Sequence, residues 1–218
     1  MLDVIKSNIG LFQLATSVVV ILVWLVYLNI FLKDFRQQRR SSLLITRGGA
    51  DDITARCLVS NMGAQPAYLL DVLACFDTPD GPVFASVVDR SELRQDQVDL
   101  PSELTGQGPI ASGGFVDIGS FRDVAGRALD GSGFRVNDCD DLKLVAVATT
   151  NQAQRLVAAV RDFGFDHDGD TVHVAPRAVE ARQIRSRRDQ RRIRKVLSAL
   201  QTRRSDAAQF SKEIISAL

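Results

Sequence analysis

The feature that most constrains this chain is a run of 26 uncharged residues, 7–32. A helix rises about 1.5 Å per residue, so the run would extend roughly 39 Å, more than the ~30 Å hydrocarbon core of a bilayer. Its Val, Ile and Leu residues fall on every face, which is typical of a helix surrounded by lipid. The run is too long for a cleaved secretory signal, and basic residues follow it. We therefore predict a membrane anchor over residues 1–40, with its transmembrane helix at about 9–32.

The charges that flank the span predict its orientation. Lys33, Arg36, Arg39 and Arg40 follow the span, whereas Lys6 and the terminal amine precede it. An excess of Lys and Arg marks the cytoplasmic side of a membrane protein. Three cysteines cannot all pair within one chain, which suits a reducing compartment. We predict that the N-terminus lies outside and that the rest of the chain is cytoplasmic.

One face of the span carries polar and aromatic residues at spacings of three and four. Such a face indicates a seam for a partner helix or for a second copy of the chain. The alternative is that its polar members lie near one membrane interface and its aromatic members anchor at the other. The seam comprises Gln13, Ser17, Val20, Trp24, Tyr27 and Phe31, and the candidate contact residues are Gln13, Ser17, Trp24 and Tyr27.

Residues 41–176 predict one β domain. Apolar and polar residues alternate over 53–61, and a second strand follows at 67–77, with Leu70, Val72, Ala74 and Phe76 on one face. The turn sequence Thr78-Pro79-Asp80-Gly81 returns the chain as an antiparallel strand over 83–88. Together the three strands predict a meander.

Later segments continue the β pattern around one short helix. A strand is predicted at 115–118, a hairpin from 142–149 and 155–163, and a strand at 171–174 after an Asp168-Gly169 turn. Ser120 is a candidate cap for a helix with Phe121, Val124, Ala125 and Ala128 on its buried face, ended by Asp130-Gly131. These many short strands predict a β-sandwich or small barrel. The polar segment 90–114 is interpreted as an insertion.

The stretch from Leu58 to Pro66 contains Asn61-Met62-Gly63-Ala64-Gln65-Pro66. This resembles the strand-ending N-x-G-x-x-P pattern of many immunoglobulin-like bacterial domains. The resemblance covers about ten residues. It implies an immunoglobulin-like fold and a bacterial type of protein, and it implies no activity.

Chemical signals in the sequence are weak. Residues 106–111 match G-x-G-x-x-A, but Pro109 removes a backbone donor that a dinucleotide site needs. Residues 166–170 hold three Asp and His167, yet they lack the spacing of a calcium loop. His167, His173 and Cys139 include no close pair of zinc ligands. We therefore predict no catalytic, cofactor or metal residue, and the sequence favours a binding protein over an enzyme.

Charge is strongly segregated along the chain. Residues 41–176 contain 10 Lys/Arg and 20 Asp/Glu, a net charge of −10, whereas residues 177–204 contain 11 and 2, a net charge of +9. Pro176 suits the start of a long exposed helix, so residues 177–218 are interpreted as a basic helical tail. A last short helix would carry Phe210, Ile214 and Leu218. The candidate anionic-surface contacts of the tail are Arg187, Arg188, Arg191, Arg192 and Lys195.

These patterns together predict an accessory, scaffolding or sensory module in a bacterial inner membrane. Its partners would be the lipid bilayer and a protein or second copy, reached through the span or the tail. Nucleic acid is disfavoured because the basic segment lacks aromatic residues. Two alternatives stay open: an extracytoplasmic immunoglobulin-like assembly module, and a ligand- or metal-binding sensor or enzyme that uses residues 90–114 and 166–170.

Overall fold

The protein was analysed as a computed structural model that describes residues 9–38, 41–93, 98, 101–150, 156–169 and 171–201. The chain divides into two compact units, residues 1–40 and 41–218. The first unit contains an apolar helix. The second is a mostly β body with one short helix and a C-terminal helix.

Helix α1 spans Ile9–Gln38. Its segment Ile9–Lys33, 25 residues, is long and apolar enough to cross a membrane. Within it, the Thr16 and Ser17 hydroxyls each donate to the backbone carbonyl four residues earlier, Phe12 and Gln13, at 2.9 Å. These two side chains are therefore satisfied by their own helix, as an apolar environment requires.

The described part of the β domain contains ten strands and two α-helices. In chain order they are β1 (Leu43–Gly48), β2 (Arg56–Asn61), β3 (Ala67–Phe76), β4 (Val83–Ser86), β5 (Gly108–Ile110), β6 (Phe115–Ser120), α2 (Phe121–Leu129), β7 (Asp141–Thr150), β8 (Leu156–Asp168), β9 (Thr171–Pro176), β10 (Arg182–Ile184) and α3 (Arg187–Gln201). The predicted mostly β body is confirmed at this level.

The strands form two sheets. One has the order β1-β2-β6; the other has the order β10-β8-β7-β3-β4, with β5 beside β3 and β9 beside β8. All the pairings are antiparallel. Buried residues from both sheets belong to one core, in which the edge of the Phe121 ring meets Phe163 at 5.0 Å between centroids. The two sheets therefore pack as layers around shared apolar side chains.

One end of the β domain, here called the Ser41 end, is where residue 41 leads into β1. Leu43 pairs with Asn61, the last residue of β2, and the neighbouring Ser60 pairs with Phe115. The two sheets are joined at this end by a Gln183 side chain, which donates to Leu43 O (2.6 Å) and accepts from Leu43 N (3.1 Å). The strand termini that meet here are Leu43, Asn61, Ala67, Phe115, Thr150, Leu156 and Ile184.

The Asn61 side chain explains the N-x-G-x-x-P pattern. It is fully buried, and its amide donates to Gln65 O (2.7 Å) and Ile110 O (3.1 Å) while its carbonyl accepts from Gly63 N (3.0 Å). A Cβ at Gly63 would lie 3.1 Å from Ser41 Cα, so only glycine fits there comfortably. The pattern therefore holds the Ser41 end together.

Several local predictions are confirmed. β4 returns antiparallel to β3 after a turn in which Gly81 has φ = 106° and its N–H donates to Thr78 O at 2.8 Å. β7 and β8 form the predicted hairpin, although its turn residues lie outside the described residues. α2 has the predicted Ser120 cap, completed by Asp123 in a capping box, and the predicted buried face.

Two predictions about strands were wrong. The meander fails because β2 and β3 belong to different sheets, the chain crossing between them over residues 62–66. The predicted face of β3 is also incorrect, because a β-bulge shifts the register between Leu69 and Asp71. Leu70 therefore lies on the opposite face from Val72, Ala74 and Phe76, which belong to the shared core.

The insertion and the tail also differ from expectation. Within 90–114, residues 108–110 form β5 and pair with β3, so at least this part belongs to the sheet. The tail does not become helical after Pro176. Residues 182–184 first add β10 to the edge of β8, and helix α3 begins ten residues later than expected, at Arg187.

Candidate interaction surface

Helix α3 begins after a polar turn that supplies its first hydrogen bonds. Arg188 N donates to Ser186 Oγ (3.2 Å) and Gln190 N donates to Ser186 O (3.0 Å). Asp189 in the first turn suits the positive end of the helix dipole. These contacts fix where α3 starts, with two residues between it and the end of β10.

The apolar side of α3 is buried against the face of the larger sheet that points away from the shared core. Ile193 and Val196 are fully buried and Leu197 is 9% exposed. They form a second apolar cluster with Leu73, Cys75, Val145, Val147, Leu156, Ala158, Val160 and Ile184. The helix is therefore packed onto its own domain, which corrects the expectation of an exposed helix.

The basic side of α3 points away from that contact. Arg187, Arg188, Arg191, Arg192 and Lys195 line one shallow groove on the helix surface. At 100° per residue these five positions cover an arc opposite to Ile193, Val196 and Leu197. All are exposed except Arg192, which is half-buried. Its Nη1 lies 3.5 Å from Asp189 Oδ1. Five cations thus share one solvent-facing surface, here called the basic face.

Comparisons with protein-family models, with curated proteins and with solved structures found no match to this chain. Its function is therefore inferred from its own residues.

The five candidate residues of the tail were predicted from the charge run, and the structure brings them together. Sequence reasoning missed Arg194, which is also exposed and follows Arg187 by seven residues, on the same side of the helix. The spacing of the cations alone was sufficient to find it. Phe210, Ile214 and Leu218 lie outside the described residues.

The candidate seam residues lie on the described helix α1. Gln13, Ser17, Trp24 and Tyr27 are all exposed on the described helix. Ser17 already donates to Gln13 O, so its hydroxyl needs no partner from another helix. A contact through these residues stays a prediction.

Part of the alternative sensor or metal site, residues 166–168, is held in structural contacts. Residues 166–168 form the last part of β8 and pair with β9, where Asp166 faces His173 in the ladder. A ring nitrogen of His167 lies 3.1 Å from Cys139 O. Among the described residues, no group of three or more His, Cys, Asp or Glu is placed to hold a metal ion.

The three cysteines are buried and form no disulfide bond. Burial raises the pKa of the Cys57 thiol to about 12 and that of Cys139 to about 11. A thiol must lose its proton to act as a nucleophile or metal ligand. These two cysteines are therefore packing residues at neutral pH.

Proposed function

We propose that this chain is a single-pass membrane protein whose β domain presents the basic face of α3 to an acidic partner protein. It would serve as an accessory or scaffolding subunit in the inner membrane of a bacterium. The observation that carries the proposal is the division of α3 into two sides. Its apolar side is buried on its own sheet, so its cations are left exposed together.

A docked helix is suited to recognition. Packing of Ile193 and Val196 fixes the backbone that carries Arg187, Arg188 and Arg191, so their relative positions are set before binding. Pre-organisation of this kind reduces the ordering cost of association. Arginine also pairs with carboxylates through two parallel hydrogen bonds, which favours a partner rich in Asp and Glu.

The same packing favours a protein over the bilayer as the occupant of the basic face. Helices that lie on membranes bury an apolar side in the lipid and keep a charged side toward water. In α3 the apolar side is already covered by Leu73, Val145 and Val160 of the larger sheet. Attraction to anionic lipid would therefore rest on charge alone.

The finer features of the proposal have separate support. The basic residues after the span favour a cytoplasmic domain, and three buried cysteines that form no disulfide suit a reducing compartment. An immunoglobulin-like type for the two-layered β domain is supported by the buried Asn61 of the N-x-G-x-x-P pattern. The possible seam at Gln13, Ser17, Trp24 and Tyr27 would add a contact within the membrane.

Photo-cross-linking in native membranes tests the basic face. A photoreactive amino acid at the exposed Ser198, which follows Arg191 by seven residues, should capture a specific protein from cells expressing the full chain. Replacing Arg187 and Arg191 with Gln should reduce that product several-fold. Raising the salt concentration should reduce it likewise, because exposed charges are screened.

The matched control replaces Arg122 and Arg135 with Gln. These arginines are also exposed, but they line a separate groove beside α2, and the change in net charge is the same. The control should leave the Ser198 product unchanged. Equal loss in both variants, or no loss in either, would refute a contact through the basic face.

A further inference from the structure

A second surface of the β domain collects exposed apolar side chains at the Ser41 end. Outside α1, the described large apolar residues that stay exposed are Met62 (61%), Tyr68 (45%), Phe115 (63%) and Val179 (91%). The first three lie within two residues of strand termini at the Ser41 end. They are up to 53 positions apart in sequence (115 − 62), so the fold brings them to one end.

Two of these residues share one face of the smaller sheet. Phe115 pairs with Ser60, and Met62 follows Ser60 by two, so Met62 and Phe115 point the same way as diagonal neighbours. Met62 N also donates to Ser42 O at 2.8 Å, next to the residue that leads into β1. Tyr68 lies on the larger sheet, between the core residues Ala67 and Leu69, and points outward. Apolar groups thus flank the Ser41 end on both sheets.

The segments that carry the apolar side chains of the Ser41 end are uncharged in an otherwise acidic domain. Residues 57–70 and 104–116, which supply Met62, Tyr68 and Phe115, contain no Asp, Glu, Lys or Arg. The acidic residues of the connections are concentrated at the opposite end of the domain, where β1 and β3 end and β7 begins. They include Asp51, Asp52, Asp77, Asp80, Asp138, Asp140, Asp141, Asp166 and Asp168.

The chain limits how far the Ser41 end can lie from the candidate span. Seven residues, 34–40, separate Lys33 from Ser41, and an extended chain covers at most about 3.6 Å per residue, which gives a limit of roughly 29 Å. Because α1 continues to Gln38, helical rise shortens this reach to about 18 Å. A ten-residue strand such as β7 is about 33 Å long, so the acidic end can stay far from a bilayer.

From these observations we propose that the Ser41 end is a lipid-contacting surface, with Met62, Tyr68 and Phe115 seated at the headgroup boundary. Aromatic side chains are favoured at this depth, and segments without acidic residues avoid repulsion from anionic headgroups. The proposal rests on anchoring by α1, but it needs neither the basic face nor a particular orientation.

Depth-dependent quenching in the full chain tests this surface. Single variants Met62→Cys and Phe115→Cys would carry a fluorescent label, and Asp80→Cys at the acidic end is the matched exposed control. The three native cysteines are buried, so the engineered thiol is labelled selectively. In vesicles of phosphatidylcholine and phosphatidylglycerol, a quencher carried on the lipid headgroup should quench labels at 62 and 115 several-fold more than at 80.

Fluorescence of Trp24 distinguishes a failure of the anchor from a failure of the lipid-contacting surface. Trp24 is the single tryptophan of the chain and lies in the candidate span. Quenching of Trp24 by brominated lipid, with labels at 62, 115 and 80 quenched equally, would overturn the lipid-contacting surface and leave the anchor standing. Absence of Trp24 quenching would overturn the anchor. Cross-linking between Met62→Cys copies, together with labels insensitive to lipid, would assign the surface to a second copy and overturn the proposal.

Discussion

At the scale of single residues, buried polar groups specify much of this fold. Asn61 joins two backbone groups of the connection 62–66 to one of β5, and each buried polar group left without a partner costs about 1–3 kcal/mol. Arg161 is buried as well; it donates to Ile45 O and to carbonyls of residues 178 and 179, and its guanidinium lies 5.6 Å from the centroid of the Phe163 ring. Burial lowers the pKa of Arg161. Both residues fasten loops rather than form a reactive site.

Asp71 makes the stability of the domain depend on pH. Burial raises its pKa to about 6, with the Asp89 carboxylate adding to the shift and the hydrogen bond from Ser86 (2.6 Å) opposing it. The unfolded chain ionises Asp71 near its ordinary pKa, so the folded state binds the proton more tightly. This contribution to stability is therefore present at low pH and is lost as pH rises from about 4 to 6.

Asp71→Asn should remove the loss of stability that Asp71 causes as pH rises. We compare the unfolding free energy of the variant with that of the wild type at each pH. From pH 4 to pH 7.5 this difference should shift by about 2 kcal/mol in favour of the variant, since one pKa unit corresponds to about 1.4 kcal/mol. Chemical denaturation of both proteins in detergent at the two pH values measures the difference. A relative gain for the wild type over the same interval would contradict the assignment.

At the scale of elements, local signals were predictable and long-range pairing was not. The cap of α2, the Gly81 turn and the β7–β8 hairpin depend on neighbouring residues, so the sequence contains the information. The separation of β2 from β3 depends on which strands pair across the chain. The bulge at Leu70 and the three-residue strand β10 leave no periodic pattern long enough to detect.

The basic face was predictable from local sequence, whereas the packing that positions it was not. The five cations of the basic face lie within one short basic segment, 187–195, so they were found from sequence. That the sparse apolar stripe of α3 is covered by its own sheet could not be read from the stripe, because its partners come from β3, β7 and β8. The Ser41 end was missed for the same reason: Met62, Tyr68 and Phe115 come to one end of the domain only after the strands pair.

Docking of α3 can be tested by changing one buried residue. Ile193→Ala should reduce the free energy of unfolding by about 2–4 kcal/mol, because it removes a fully buried side chain from a packed contact. Arg194→Ala, at an exposed neighbouring position of the same helix, should change stability by less than about 0.5 kcal/mol. Hydrogen exchange of α3 amides should accelerate in the first variant and not in the second. Equal exchange would show that the helix is held by something other than this contact.

At the scale of the whole molecule, the chain is polarised. An apolar helix comes first, an acidic β domain follows, and a basic helix face lies near its C-terminal side. If α1 spans a membrane, the described residues after residue 40 belong to one compartment, since no other described helix is long and apolar enough to cross. The identity of that compartment determines which partners the basic face can meet.

Reporter fusions measure the orientation directly. With the cytoplasmic orientation predicted from Lys33, Arg36, Arg39 and Arg40, alkaline phosphatase fused after Leu218 should be inactive and a fluorescent protein at the same site should be bright. Replacing these four residues with Gln and adding Lys before Gln13 should shift some molecules to the reverse orientation. Active phosphatase on the unaltered chain would place the β domain outside the cytoplasm.

The hydrogen bonds between Gln183 and Leu43 have a mechanical consequence. They join the first strand after the helix α1 to the strand that leads into α3. A pull between the membrane and a protein bound to α3 would therefore load these two hydrogen bonds, together with the β1–β2 and β10–β8 ladders and the buried side of α3.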